Sequence, residues 1–202
     1  MENEKQTRQK LIDSAKKEFL EKGYSKASLR SICADAGVTT GALYFFFENK
    51  EDLFAAIVDP PLAGLKEILI QHFKEDTEEM SGIDSLEGIE MDHTEISDKI
   101  VGYIYKNYDS FMLLLTATEN TVYENVVDEF VAMLEQSIPP MMASLKGYTC
   151  DEYMSHWMAH ISMDAFIHVI KHEKDVKKAK ARLRDILNYL VVGWVQLAVK
   201  KK

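Results

Sequence analysis

The chain has 202 residues, of which 47% are hydrophobic and 10% aromatic, and its formal net charge is −9. This length allows one domain or two small ones, and the apolar fraction supports a buried core, so disorder is excluded over most of the chain. Two cysteines cannot form a disulfide framework, and the longest apolar stretch is far shorter than the ~20 residues of a membrane span, so we expect a reduced, cytoplasmic protein with no membrane partner.

Charge is unevenly distributed along the chain. The net charge is 0 over residues 1–54, −16 over residues 55–170 and +7 over residues 171–202. Protein–DNA affinity depends on basic residues near phosphates, and the acidic middle segment repels a polyanion. Any contact with nucleic acid is therefore expected at the N-terminal end.

Helical signals dominate the N-terminal part, as expected for an all-α chain with four Pro and nine Gly. The first helix has Thr7 as a candidate N-cap, and Gly23 is a typical stop signal at its end. Ser28 is a good N-cap for a short second helix, which the Ala-Gly-Val sequence at 36–38 ends.

A third short helix and the start of a fourth follow. Thr39 is a candidate cap for a helix from Thr40 to about Phe47, and Asn49, with Asp52 three residues later, is a capping-box-like start for the next one. Two short helices separated by a glycine-containing turn are typical of a helix-turn-helix.

The remainder of the chain also predicts helices, separated by proline pairs and one long loop. Pro60-Pro61 are predicted to interrupt the fourth helix, and Pro139-Pro140 to end a later one. The acidic stretch 75–95 is predicted to be a loop. The further predicted helices cover residues 62–74, 96–108, 111–118, 119–138, 151–172 and 176–200.

The motifs at 28–32 (SLRSI), 37–47 (GVTTGALYFFF) and 49–54 (NKEDLF) resemble the DNA-binding domain of the TetR family of transcriptional regulators. The resemblance covers residues 7–58 closely and the rest in length, helical character and two long final helices. It implies a three-helix helix-turn-helix domain at 1–54 and a helical ligand-binding and dimerisation domain at 55–202.

A recognition helix needs small or polar residues near base edges at its N-terminal end. The third helix has no basic residue, so base selection is expected from hydroxyls, methyl contacts, Phe45 or DNA shape. The resemblance implies that Tyr44 and Lys50 contact phosphates. For Thr39, the alternative to a DNA contact is a role as helix cap alone. The predicted DNA-binding residues are Ser28, Arg30, Thr39, Thr40, Gly41, Ala42, Tyr44, Phe45 and Lys50.

The last two helices are apolar on more than one side, which predicts burial both within the chain and against a second copy. The resemblance likewise implies a homodimer, whose two recognition helices would match a palindromic operator of double-stranded DNA. The predicted interface residues are Ala165, Val169, Leu187, Leu190, Val191 and Trp194.

The resemblance also implies a mainly apolar pocket for a small-molecule effector in the middle of the chain. For each candidate residue, an ordinary place in the core is the alternative. The predicted ligand-binding residues are Phe73, Tyr103, Phe111, Leu115, Tyr123, Phe130, Trp157 and Ile161. We expect no cofactor.

Four histidines recur on one predicted helix: His156, His160, His168 and His172. A pair four residues apart can bind zinc or another transition metal, but steps of four drift around the helix, so the whole series cannot bind one ion. We interpret these histidines as packed at the dimer seam or in the pocket, and we assign no metal site.

No phosphate loop, GxSxG, CxxC or HExxH motif occurs, so no catalysis is predicted. The sequence favours a repressor that an effector releases from DNA by shifting the population of its conformations. The alternatives are a ligand-independent regulator or activator, and a helical small-molecule carrier that no longer binds DNA.

Overall fold

The computed structural model describes residues 2–81, 94–144 and 147–201. Over these residues the chain is almost entirely helical, which confirms the all-α prediction. The helices are α1 Glu2–Lys26, α2 Leu29–Ala36, α3 Thr40–Phe46, α4 Lys50–Met80, α5 Thr94–Lys106, α6 Tyr108–Thr116, α7 Val126–Ser144, α8 Glu152–His172 and α9 Val176–Ala198.

Two three-residue strands, which the sequence did not predict, complete the described fold. Strand β1 (Tyr148–Cys150) pairs antiparallel with β2 (Val199–Lys201), so that Cys150 lies opposite Val199. The last helix consequently ends at Ala198, because the next three residues are held in the extended conformation by this pairing.

The contacts divide the chain into two compact units, and α4 crosses the division after Gly64. Unit 1 contains the described residues of Met1–Gly64 and Asn107–Val126, and unit 2 those of Leu65–Lys106 and Val127–Lys202. The functional boundary predicted between residues 54 and 55 falls inside α4 and stays a prediction.

Unit 1 has a core formed by the apolar faces of α1 to α4, with α6 packed against α1. Phe19, Leu43 and Phe54 are completely buried. Tyr24 packs on this core, in ring contact with Phe19 and Phe54. Each such side chain contributes about 1.5–3 kcal/mol when it is removed from water, which is why these short helices are stable together.

Unit 2 has two apolar clusters between its long helices. One gathers Met80, Met142, Met158, Leu190, Trp194 and Ala198, and the other Val101, Val169, Ala179 and Leu183. Polar contacts join the same helices, since Arg184 of α9 donates to Asp98 of α5 at 3.2 Å. The two long helices predicted at 151–172 and 176–200 are therefore found as α8 and α9, with Asp151 and Asp175 as N-caps.

The predicted interruptions at the proline pairs are wrong. Pro60 and Pro61 lie inside α4, and Pro139 and Pro140 lie inside α7. Each proline removes a backbone hydrogen bond and costs about 3 kcal/mol in a helix interior. Buried residues close to each pair provide apolar contacts that can offset this cost: Val58 and Leu62 flank the first pair, and Met142 follows the second.

Three other predicted boundaries change. Thr7 lies inside α1, where its hydroxyl donates to the Asn3 carbonyl at 2.8 Å, so it is not the N-cap. Helix α4 extends to Met80, which is buried, so residues 75–80 are not a loop, while residues 82–93 of that predicted loop lie outside the described part. Helix α7 begins only at Val126, because residues 119–125 form turns.

Candidate nucleic-acid interface

Helix α2, the first of the two short helices of the predicted helix-turn-helix, is held at both ends by hydrogen bonds. At its start, the Ser28 hydroxyl accepts the Ser31 N–H, as predicted. At its end, Gly37 adopts the left-handed conformation (φ 67°), and its N–H bonds to the Ala34 carbonyl. This conformation favours glycine, so the turn between α2 and α3 depends on Gly37.

Glu18 of α1 binds the residue that caps the start of α2. Its side chain is buried, and one carboxylate oxygen accepts the Lys22 ammonium at 2.8 Å and the Ser28 backbone N–H at 3.0 Å. The hydrogen bond from Lys22 is the main cause that lowers the Glu18 pKa; burial opposes the shift and the Ser28 N–H adds to it. The carboxylate therefore stabilises the start of α2 while it is ionised.

The predicted recognition helix, α3, exposes its threonine side to solvent. The Thr39 hydroxyl caps the helix by accepting the Ala42 N–H at 3.1 Å. Thr39, Thr40 and Gly41 are exposed, as are Tyr44 (58%) and Phe45 (71%). The opposite side is anchored in unit 1, because Leu43 and Phe47 are buried. Helix α3 is thus anchored on one side by buried residues, and its other side exposes hydroxyl groups and aromatic rings to solvent.

The chain itself leaves room for a side chain at position 41. An added Cβ atom would contact only the Thr39 hydroxyl oxygen, at 3.8 Å, which is an ordinary van der Waals distance. The fold therefore does not itself require glycine here.

Lys50 makes contacts that sequence reasoning did not anticipate. Its ammonium donates to the carbonyls of Tyr24 (2.7 Å), Ser25 (3.4 Å) and Ala27 (3.4 Å), and it lies 4.5 Å from the centre of the Tyr24 ring. These contacts use the three N–H donors of the ammonium to tie the end of α1 to the start of α4. The start of α4 is also fixed as predicted, since Asn49 accepts the Asp52 N–H at 2.9 Å.

Arg8 is a basic residue beside α3 that the sequence analysis missed. Its guanidinium lies 5.2 Å from the centre of the Phe47 ring, although 39 positions separate the two residues in sequence, and the residue is exposed. Sequence spacing gives no signal for this placement, which depends on how α1 crosses α3. Arg30 of α2 is exposed as well, while Ser28 is half-buried.

The predicted ligand-binding residues are divided between the two units. Phe111, Leu115 and Tyr123 belong to unit 1, whereas Phe73, Tyr103, Phe130, Trp157 and Ile161 belong to unit 2. Tyr123 has a clear local role, because its hydroxyl bonds to Asp59 at 2.5 Å and its ring contacts Phe54. Burial, followed by this bond to Asp59, raises its pKa. A shared pocket for the eight residues stays a prediction.

The methionine-rich cluster of unit 2 contains an unusual polar atom. Trp194 is only 6% exposed, and its indole N–H has no hydrogen-bond partner among the described residues. Met80, Met142 and Met158 belong to the same cluster. A buried donor without an acceptor costs about 1–3 kcal/mol, so this is a place where an acceptor on a bound molecule would be stabilised.

Three of the predicted interface residues lie in the core of their own chain. Val169, Leu190 and Trp194 are 5%, 9% and 6% exposed, so their side chains present little surface to a second copy. The remaining three, Ala165, Leu187 and Val191, are partly buried against the same clusters. The large apolar side chains that α8 and α9 expose are instead Tyr153, Trp157, Val176, Tyr189, Val192 and Leu197.

The histidine series is exposed in the structure and forms two pairs. The His156 and His160 rings are 4.5 Å apart, and so are those of His168 and His172. Glu135 of α7 lies beside the first pair, with its carboxylate in contact with His156 Nδ1 and 4.0 Å from His160 Nε2. The second pair borders an open cleft with Glu173, Arg182 and Asp185.

Comparison with known proteins assigns the N-terminal region. Residues 11–57 match the family model described as bacterial regulatory proteins, tetR family. The repressor BepR of Brucella suis is 39% identical over 66 residues, which cover 33% of this chain and 32% of BepR. The regulator AcrR of Shigella flexneri is 37% identical over 67 residues, 33% of this chain and 31% of AcrR. The matched segment thus spans about a third of these relatives.

The described part of the chain also resembles a solved regulator in its fold. A transcriptional regulator from Aquifex aeolicus superposes with a TM-score of 0.62 at 20% identity, over 91% of this chain and 99% of the other. None of the helices in the described part of this chain is both long and apolar enough to cross a bilayer. Residues 11–57 thus match the tetR family of bacterial regulatory proteins, and the chain as a whole shares the fold of the Aquifex aeolicus regulator.

Proposed function

We propose that this chain is a DNA-binding transcriptional regulator that acts as a homodimer in the cytoplasm and represses transcription from a palindromic operator until a small, mainly apolar effector binds. The observation that carries the proposal is the outward face of α3, where Thr40, Gly41, Tyr44 and Phe45 are exposed on a helix whose other side is buried. The curated relatives BepR and AcrR, which share this segment, are named as a repressor and a regulator.

The chemistry of that face fits the major groove of DNA. Hydroxyl groups of threonine and tyrosine donate to phosphates or to base edges, and Ala42 and the Phe45 ring offer apolar contacts to thymine methyl groups. The fold would accept a larger residue at position 41, so packing within the chain does not account for Gly41. We attribute the missing side chain to close approach by the DNA. Arg8 and Arg30 supply positive charge beside α3, which itself has no basic residue.

Dimerisation is assigned to the exposed apolar residues of the last two helices. Tyr153 and Trp157 of α8 and Tyr189, Val192 and Leu197 of α9 are between 44% and 79% exposed in the single chain. Exposed apolar surface of this kind marks an interaction site, and a two-fold axis pairs it with itself. These residues replace the buried Val169, Leu190 and Trp194 as the proposed interface.

The effector is assigned to the methionine-rich cluster around Trp194. Methionine adapts its shape to varied apolar ligands, and the unpartnered indole N–H would bind one acceptor atom. Helix α4 links this cluster to the DNA-binding domain, because it begins at Lys50 and contributes Met80 to the cluster. A ligand that prefers a different position of α4 would shift the population away from the DNA-binding form.

Selection of bound fragments from random DNA by the purified full-length protein tests the function. We expect a palindromic site, and we expect Tyr44→Ala to lower affinity for it at least tenfold, since a hydrogen bond to a charged phosphate contributes about 1.5–3 kcal/mol. The matched control is Ile70→Ala, because Ile70 is also 58% exposed and lies outside α3. Selection of no common site, or equal losses in both variants, would overturn the proposal and favour the carrier.

Release by an effector is tested on the same complex. In the variant Trp157→Phe, the fluorescence comes from Trp194, because the chain has two tryptophans. Apolar compounds that quench this fluorescence are expected to release the protein from the operator over the same concentration range. Quenching without release would favour a ligand-independent regulator. Reporter expression that rises when the gene is deleted would distinguish a repressor from an activator.

A further inference from the structure

We propose that Glu135 of α7, together with His156 and His160 of α8, forms a binding site for a divalent transition-metal ion. The three side chains offer one ligand atom each, and these atoms all lie within 4.8 Å of one another. No other group of three metal-ligating side chains meets this condition in the residues that the structure describes. The site lies entirely within unit 2 and shares no residue with the proposed DNA-binding surface.

The helix geometry brings the two histidines together before any ion binds. Residues four apart lie on the same face of a helix, and the two rings are 4.5 Å apart in an edge-to-face arrangement. Glu135 is provided by a different helix, and its side chain is half-buried, which restricts the positions of its carboxylate. Two helices thus supply the ligands, so a bound ion would join α7 to α8.

The present spacing of the ligand atoms needs only small adjustments. Zinc–nitrogen and zinc–oxygen bonds of about 2.0–2.2 Å in tetrahedral geometry place two ligand atoms about 3.3 Å apart. Glu135 already contacts His156, and His160 Nε2 is 4.0 Å from the same carboxylate oxygen. The contact between Glu135 and His156 must therefore widen, and the distance to His160 must shorten. Both histidines are about half exposed, so rotation of their side chains allows both changes.

The ligand set indicates which ions are preferred. Two imidazole nitrogens and one carboxylate oxygen suit Zn²⁺, Ni²⁺, Co²⁺ and Cu²⁺, whereas Mg²⁺ and Ca²⁺ prefer oxygen ligands. With neutral histidines the three groups carry one negative charge, which a divalent cation more than neutralises. Three protein ligands leave a fourth position for water or for another molecule.

The same helix offers a matched control. His168 and His172 have the same spacing and the same 4.5 Å separation of ring centres as His156 and His160. Among the described residues, no third ligand is placed near enough to complete a site with that second pair. If two histidines on a helix were sufficient, both pairs would bind; if Glu135 completes the site, only the first pair binds strongly.

The test is a Zn²⁺ titration of the full-length protein, with any affinity tag removed, against a chromophoric chelator. We expect one Zn²⁺ per chain, and we expect His160→Gln and Glu135→Gln each to weaken binding at least tenfold, by analogy with the ~10–100-fold losses for groups that only support ligands. His168→Gln should leave the affinity unchanged, and Mg²⁺ should not compete.

Thermal unfolding provides a second measurement that does not depend on operator binding. Zn²⁺ should raise the Tm of the unmodified protein and of His168→Gln by the same amount, and that of His160→Gln by clearly less at the same Zn²⁺ concentration, because a more weakly bound ion stabilises the folded state less. Less than one Zn²⁺ per chain, equal weakening in His160→Gln and His168→Gln, or an equal Tm rise in the unmodified protein and His160→Gln would each overturn the metal site. None of these results bears on DNA binding, which is measured separately.

Discussion

Helix α3 and the pair α8–α9 expose surfaces of different chemistry. On α3 the exposed residues combine hydroxyl groups with aromatic rings, as in Thr40, Tyr44 and Phe45. On α8 and α9 they include large, mainly apolar side chains such as Trp157 and Val192. The first surface suits a hydrated, charged duplex, and the second suits an apolar partner such as a second copy of the chain.

The short and the long helices of the chain are also stabilised in different ways. The short helices α2 and α3 depend on end caps and on the turn at Gly37, because helices of this length are marginal by themselves. The long helices α4 and α7 depend on buried side chains, which keep them continuous through two prolines each. Changes in the short helices should therefore act through single hydrogen bonds, and changes in the long helices through apolar contacts.

The largest effect is expected from a charge placed on the α8–α9 surface. Val192 is 50% exposed in the chain, so Val192→Asp should leave the fold intact but place a carboxylate in the proposed interface. We expect sedimentation to show a species of 23.1 kDa instead of twice that mass. Operator affinity should fall about 100-fold or more, because two half-sites are then bound independently.

Val122→Asp is the control for this experiment. Val122 is 72% exposed but belongs to unit 1, outside the proposed interface. Its variant should keep the dimer and the operator affinity. A dimer that persists in Val192→Asp would place the interface elsewhere on the chain.

The next largest effect is a loss of stability expected on substitution of Lys50. Because its ammonium bonds to three carbonyls within unit 1, Lys50→Met should lower the free energy of unfolding by about 2 kcal/mol. A residue that only contacted phosphate would change operator affinity with no change in stability. Denaturant unfolding checks this, with Lys10→Met, at an exposed position of α1, as the control.

A smaller, pH-dependent effect is expected at Glu18. The Glu18 pKa is lowered in the folded state, chiefly by the hydrogen bond from Lys22. The ionised carboxylate therefore stabilises the fold at pH values above the unfolded pKa of about 4.3. This contribution is lost as the pH falls through the lower pKa of the folded state. Glu18→Gln should therefore lower the free energy of unfolding by about 1–2 kcal/mol at pH 7 and by less below pH ~4. Unfolding curves across this range, with exposed Glu21→Gln as control, measure the difference; a pH-independent loss would contradict it.

The smallest effect separates the two roles of Thr39. Thr39→Ala should cost about 1 kcal/mol of stability, because the Ala42 N–H loses its acceptor. Thr39→Asn should restore the stability, since asparagine is an equally good cap. If operator affinity is restored along with it, the residue acts as a cap alone; if affinity stays low, the threonine side chain itself contacts DNA.

Local signals were sufficient for much of the N-terminal domain. Ser28, Gly37, Thr39 and Asn49 were predicted as caps or breaks from residue type alone, and the structure confirms each one. These predictions succeed because a cap is formed within three residues of chain. The predicted contacts with DNA remain predictions, although the exposure of α3 is the condition that they require.

Predictions that depended on distant packing were less successful. Apolar periodicity identified α8 and α9 but gave no basis for choosing which apolar side is buried within the chain, so Leu190 and Trp194 were assigned to the interface. The carboxylate of Glu135 beside His156 was not foreseen either, because 21 positions separate the two residues. The rule that proline ends a helix failed where neighbouring side chains were buried.

The sequence by itself determined that the chain is helical, where its short helices begin, and that its first residues form a helix-turn-helix of the TetR type. These properties follow from backbone preferences and hydrogen bonds that span a few residues. Only the tertiary structure decided that α4 continues through Pro60 and Pro61, that Lys50 binds carbonyls, and that Glu135 meets two histidines. Each of these depends on burial or on contacts between distant positions, where the packing of the whole unit outweighs local preference.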